Sequence, residues 1–176
     1  MKITMVGVMS LDGKITKGIS SDIYKWTSLE DQKHFFSQIK KNNLLVMGSQ
    51  TYEAARDKIK LTKEKLRVIL TRDPQKYTPE EIPNILEFSS DSPKVLVKKL
   101  EARGYKKMLL LGGGIINSLF LKSSLVNELQ ITIEPKIFGL GKNLVSDDKL
   151  DVDLKLLEIK KLNSKGTLLL VYKVLI

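Results

Sequence analysis

Short apolar runs alternate along this chain with amphipathic stretches. Residues 2–9 (KITMVGVM), 43–47 (NLLVM), 66–71 (LRVILT), 84–88 (NILEF) and 107–111 (KMLLL) have the length and content of buried strands. Between them, residues 29–41, 50–58, 93–103 and 114–121 carry helical spacing. This βαβ rhythm predicts a three-layer α/β domain, with a mostly parallel sheet covered by helices on both faces. After residue 126 the pattern changes to NELQITIEPKIF, then VDLKLLEIKKL, the turn NSKG and TLLLVYKVLI. The last two runs, joined by a short turn containing Gly166, read as an antiparallel hairpin, so the sheet should be mixed. No repeat, low-complexity tract or linker interrupts the 176 residues, and one domain over 1–176 is expected.

Composition narrows the chemistry. There is no cysteine and a single histidine, His34. Disulfide frameworks, thiolate nucleophiles, zinc fingers and zinc deaminases are therefore excluded, and no metal site is expected. A Ser-His-Asp triad would have to use His34, which sits in a polar helical stretch and reads as a solvent-side residue, and the chain contains no G-x-S-x-G elbow. No apolar run approaches the roughly 20 residues that span a bilayer, and the N-terminus lacks a small-residue cleavage site after a long apolar core, so a cytoplasmic protein without membrane contact is expected. The formal charge is +10, but 26 of the 30 basic residues are lysines, and aromatics make up 6%. Base readers draw on arginine forks and stacking aromatics, so a dispersed lysine coat points to a solvated surface that attracts small anions, with no nucleic-acid partner.

Four places could carry function. Gly112-Gly113-Gly114 follows an apolar strand and opens a helical stretch; such glycines let backbone approach a phosphate, and equally make a tight βα turn. VMGSQTYE (46–53) is a second strand end leading into a helix, readable as an anion site or as capping by Ser49. Thr71-Arg72, at the end of a third strand, could hold an extra phosphate or form an exposed turn. On a helical wheel Asp31 borders the apolar stripe of 29–41, where desolvation would raise its pKa; Ser28-x-x-Asp31 also fits a capping box.

Together these segments resemble the dihydrofolate reductase fold family, which includes the reductase domain of riboflavin biosynthesis. The likeness runs over nearly the whole chain through MSLDGKI (9–15), Trp26, LEDQKHFF, VMGSQTYE, VILTR, LLLGGGIINSLFL and LQITIEPKIFGLGKNL. It implies that Trp26 lies in a mobile loop, that Asp31 holds a pterin with Phe35 lining the pocket, and that Thr132 pairs with the acid. It places Gly112 and Gly113 under a cofactor diphosphate, Gly48, Ser49 and Thr51 at a second cofactor turn, and Thr71 with Arg72 near an adenosine 2′-phosphate. Gln50, Leu111, Gly114 and Ile115 complete that cofactor set, while Val8, Lys65 and Arg67 join the substrate set. Ser49 and Asn117 depart from the arginine and tyrosine that many members carry. SLDGKI looks riboflavin-type, whereas Leu111 replaces the glutamate usual in those enzymes and SQTYEAARD replaces their acidic signature.

The resemblance leads to an NADPH-dependent reduction of dihydrofolate, placing the chain in folate and one-carbon metabolism. The alternatives are the ribosylaminopyrimidine phosphate reductase of riboflavin biosynthesis, a carbonyl or pterin reductase, and, from another class, a non-catalytic anion- or nucleic-acid-binding module. A monomer or a homodimer is compatible with the apolar C-terminal hairpin.

Overall fold

A computed structural model describes every residue except Ser21, Asp147, Asp148 and Ile176. Eight strands form one sheet: β1 (Lys2–Ser10), β2 (Leu44–Gly48), β3 (Leu66–Leu70), β4 (Leu86–Ser89), β5 (Lys107–Leu110), β6 (Glu128–Glu134), β7 (Leu154–Lys161) and β8 (Leu168–Val174). Their order is β4-β3-β2-β5-β1-β6-β8-β7. The first six are mutually parallel, and β8 runs antiparallel to both β6 and β7. The hairpin is thus present, but only β7 is the edge strand; β8 lies inside it.

Four helices cover the sheet: α1 (Leu29–Lys41), α2 (Ser49–Ala55), α3 (Pro93–Ala102) and α4 (Gly114–Lys122). The stretch expected as one helix to residue 58 ends at Ala55 and continues as a 3-10 turn, Arg56–Lys58. Every residue of β2 and β3 is buried, as expected of parallel strands enclosed on both faces. On one face Ile3, Met5, Leu44, Val46 and Val68 pack with Leu96, Leu100 and Phe120 of α3 and α4. On the other, Val6, Leu45 and Leu109 meet Phe35 and Ile39 of α1, while Met47 and Ile69 meet Tyr52 of α2.

Helix α1 is held on the sheet by Phe35 and Ile39 and fixed at both ends by polar contacts. Ser28 caps it by accepting from the Asp31 N–H at 3.2 Å, and Glu30 and Asp31 occupy the first turn, where the helix dipole favours acids. At its other end the Lys65 ammonium donates to the carbonyls of Ile39 (2.7 Å), Lys40 (3.3 Å) and Asn42 (2.7 Å). Phe36 and Leu29 are exposed, and the one fully buried residue of the helix is Asp31.

Because β5 is inserted between β1 and β2, the chain leaves the sheet in different directions after β1, β2 and β5. That divergence opens a crevice at the carboxyl ends of the strands, where ligands of open α/β sheets gather.

Candidate active site

The crevice is a cleft of about 1560 Å³. One half is built from backbone turns. Gly48, ending β2, donates its N–H to the Gly112 carbonyl at 2.7 Å, tying the ends of β2 and β5 together. The Gly113 N–H donates to Thr51 Oγ1 at 2.8 Å, which joins this turn to α2, and the Gly112–Gly113 peptide is cis. The residues must be small here. A Cβ on Gly48 would lie 2.8 Å from Ile116 Cγ1, and one on Gly114 would lie 2.6 Å from the Asn143 carbonyl oxygen. Gly113 caps α4 without any side-chain hydrogen bond, so the first N–H groups of that nine-residue helix are left for a ligand. Beneath the turn, buried Asn117 donates to the Leu144 carbonyl at 2.7 Å, while its Oδ1 finds no partner among the described residues.

Where β3 and β4 end, Thr71 and exposed Arg72 line the cleft beside Ser89, Ser90, Asp91 and Ser92. Ser92 precedes Pro93, the first residue of α3. This serine-rich strand end did not stand out in the sequence, because SSDSP reads as an ordinary turn.

The other half is built from side chains. Val6 and Val8 of β1 and Phe35 and Ile39 of α1 give it apolar walls. Asp31 lines it at 5% exposure, and its carboxyl is pushed up to about 6, first by burial and then by the Glu134 charge; the hydrogen bond from Thr132 acts against both. Arg67 of β3, 6% exposed, also lines it. Burial lowers the pKa of that guanidinium, and its Nη1 finds no hydrogen-bond partner among the described residues. At the mouth, Lys58 pairs with Asp22 at 3.2 Å and lies 4.2 Å from the Tyr24 ring centroid, and Tyr24 stacks on Phe36.

Most of the sequence candidates therefore meet in one cleft: Val8, Asp31, Phe35, Gly48, Ser49, Gln50, Thr51, Arg67, Thr71, Arg72 and Leu111 through Ile115. Three do not line it. Trp26 is buried edge-on against Phe138, 5.1 Å between centroids. Thr132 is buried behind Asp31 and reaches the cleft only through it. Lys65, proposed as a substrate contact, has its ammonium taken up by the carbonyls that end α1. His34 is half-buried beside Gln130 and not solvent-side, and burial lowers its pKa.

The SLDGK segment has a different task from catalysis. Asp12 accepts from Ser10 Oγ at 2.6 Å and from the backbone N–H groups of Phe138 and Gly139, and these bonds bring its carboxyl down to about 2. With Ile15 N–H on the Lys142 carbonyl and Lys142 N–H on Thr16 Oγ1, the loop after β1 is clasped to the loop after β6. The two loops supply Ile15, Thr16 and Gly141 through Leu144 to the cleft wall.

This fold and cleft define a class, and comparison with known proteins names it. The family of RibD C-terminal domains matches residues 1–168, and the chain belongs to that family. An uncharacterized protein of Bacillus subtilis (strain 168), YyaP, is 31% identical over 113 residues, which are 64% of this chain and 57% of that relative's length. A pyrimidine reductase-like protein of Corynebacterium diphtheriae superposes with a TM-score of 0.80 at 16% identity, covering 99% of this chain and 92% of its own. A diaminohydroxyphosphoribosylaminopyrimidine deaminase/5-amino-6-(5-phosphoribosylamino)uracil reductase of Thermotoga maritima superposes with a TM-score of 0.76 at 20% identity, covering 98% of this chain and 56% of its own. The fold expectation is met. Between the two functional readings, the family match supports the riboflavin-type alternative and gives no support to dihydrofolate reductase. Among the described residues no helix is long and apolar enough to cross a membrane.

Proposed function

We propose that this chain is an NADPH-dependent reductase of a small nitrogen heterocycle bearing an anionic substituent, of the kind that the Thermotoga maritima protein's name describes: an aminopyrimidine carrying ribose phosphate. The observation that carries the reading is the pairing, in one cleft, of a buried acid with a raised pKa and a buried guanidinium whose Nη1 has no hydrogen-bond partner among the described residues. A buried charge left unpaired is costly, so Arg67 calls for an anion that the ligand brings.

The glycine half fits the cofactor. At Gly48, Gly113 and Gly114 a Cβ would strike Ile116, Thr51 and the Asn143 carbonyl, so the glycines let these turns pack closely, and the open start of α4 offers donors to a diphosphate. Arg72 with the hydroxyls of Thr71, Ser90 and Ser92 would hold a 2′-phosphate, the group that separates NADPH from NADH. Bound there, NADPH supplies the hydride. The chain's own residues do the rest. Asp31, protonated below about pH 6, can hydrogen-bond an imine or carbonyl of the substrate and favour its protonated form. Phe35, Val6 and Val8 pack on the heterocycle and exclude water. Trp26 and the 22–26 segment, anchored by Phe138 and Lys58, seat the loop that borders the cleft.

The match to RibD C-terminal domains supports a pyrimidine phosphate over folate as the substrate. The test is loss of NADPH absorbance in the near ultraviolet with each substrate in turn. Turnover of the ribosylaminopyrimidine phosphate without turnover of dihydrofolate is expected; the reverse result returns the chain to the folate reading. NADPH binding much tighter than NADH, read from Trp26 fluorescence, is the matching cofactor test.

A further inference from the structure

A polar seam runs between α1 and β6. Ser28, Asp31 and His34, each three residues apart, stand over Glu134, Thr132 and Gln130, alternate positions of β6. Glu134 is 3% exposed and lies outside the cleft lining. It accepts from the Ser28 N–H at 2.6 Å and from Thr167 Oγ1 at 2.8 Å. Both contacts are donations to its oxygens, the pattern a carboxylate takes. The Thr167 hydroxyl accepts from Asn163 Nδ2 at 2.9 Å, so its own proton is left for Glu134. Asn163 is oriented in turn, because its Oδ1 accepts from the Thr167 N–H at 3.2 Å and its Nδ2 reaches Glu30 at 3.2 Å. The turn between β7 and β8 thus fixes Glu134 from behind. Ser28 connects the two buried acids: its N–H serves Glu134 and its Oγ takes the Asp31 N–H.

We propose that Glu134 is a positioning residue for Asp31, a fixed buried carboxylate that seats the start of α1 and holds on Asp31 the proton on which the site draws. The proposal rests on the reading of Asp31 as the ionisable group of the cleft. Two acids on one buried seam resist ionising together, and Glu134 acts on Asp31 in that sense, in addition to burial. Thr132 opposes it from the same strand. Tyr24, from the turn before α1, is the other titratable group that senses Asp31; burial raises its pKa, so it stays neutral where Asp31 titrates.

The test needs neither cofactor nor substrate. Carboxyl carbons of the free protein are titrated by NMR in the wild type and in Glu134→Gln, with Asp31→Asn identifying the Asp31 resonance. The Asp31 midpoint is expected to fall by about one unit in Glu134→Gln. The fall in turnover on the alkaline side should move down with it. An unchanged midpoint in a folded Glu134→Gln protein overturns the proposal. If that variant does not fold, Glu134→Asp is titrated in its place: an Asp31 midpoint that moves down supports the proposal, and an unchanged midpoint overturns it. A shifted midpoint in a protein that turns over no pyrimidine or pterin supports the seam while removing the reductase reading, so the two fail separately.

Discussion

The two halves of the cleft are built on opposite principles. The glycine half has a main-chain centre: its donors there are peptide N–H groups and its shape is fixed by what a Cβ would strike, with Arg72 and hydroxyls at its far end. The acid half is made of buried ionisable side chains whose hydrogen bonding is left incomplete or is supplied from a second layer. A main-chain cradle suits a ligand whose recognised part never changes charge, whereas titratable groups suit the part that must take a proton. The division therefore separates holding from reacting, and mutations on the two sides should have different signatures.

The largest effect belongs to Asp31. Asp31→Asn keeps the shape and removes the proton; turnover should drop roughly a hundredfold to ten-thousandfold, with NADPH affinity unchanged. The same change should stabilise the protein. A carboxyl raised from 3.8 to about 6 favours the folded state fully below pH 3.8, and that advantage is lost as pH rises through about 6. Above that pH the buried charge costs at most roughly 3 kcal/mol, so Asp31→Asn should raise the urea midpoint at pH 8 and bring no gain at pH 4. Equal losses of turnover and cofactor affinity would break the division between the halves.

Gly114→Val is the converse. Its Cβ would collide with the Asn143 carbonyl, a backbone atom with little freedom to yield. Overpacking of about 1 to 3 kcal/mol predicts a loss of NADPH affinity of roughly tenfold to a hundredfold, measured by fluorescence titration. Substrate-dependent pH behaviour should remain, because Asp31 is untouched. A variant that binds NADPH normally would place the cofactor elsewhere.

Arg67→Leu tests whether the unpaired guanidinium is there for a ligand. Losing one charged hydrogen bond to substrate predicts a rise in KM of about tenfold, with the NADPH dissociation constant unchanged. Removing a buried, unsatisfied charge should leave the thermal midpoint level or higher. A fall in stability with no change in KM would make Arg67 a structural group.

The contrast between the halves also explains what could be read in the sequence. The glycine half was legible because small residues at strand ends have few structural reasons to recur, so GGG at 112–114 and GSQT at 48–51 marked it directly. The helix 29–41 and the parallel strands were legible from periodicity alone. The seam behind Asp31 was not. QITIE alternates polar and apolar residues as a solvent-facing strand does, yet Gln130, Thr132 and Glu134 face α1. Alternation reports that two faces differ; it does not report which one is wet. His34 was misplaced in the same way, whereas LKLLEIKK, read as part of an edge hairpin, forms the edge strand β7 and is exposed at all eight positions.

Lys65 gives the smallest effect on activity and the sharpest control. The resemblance sets it near the arginine that holds the glutamyl carboxylate of folate, whereas Arg67, two residues on, lines the cleft and Lys65 does not. Lys65 and Arg67 share the face opposite Leu66, toward α1, but Lys65 precedes β3 and reaches the carbonyls that end α1, while Arg67 lies one step further along the strand, in the cleft. The Lys65 ammonium donates to carbonyls at the end of the helix, a capping role that pairs charge with the negative end of the helix dipole. Lys65→Met keeps the alkyl stem and removes those bonds, and should lower stability by about 1 kcal/mol with KM and turnover within twofold of wild type. A KM rise comparable to that of Arg67→Leu would return Lys65 to the substrate set and with it the folate-like tail contact, so this conservative change separates a cation that holds the helix from a cation that holds the ligand.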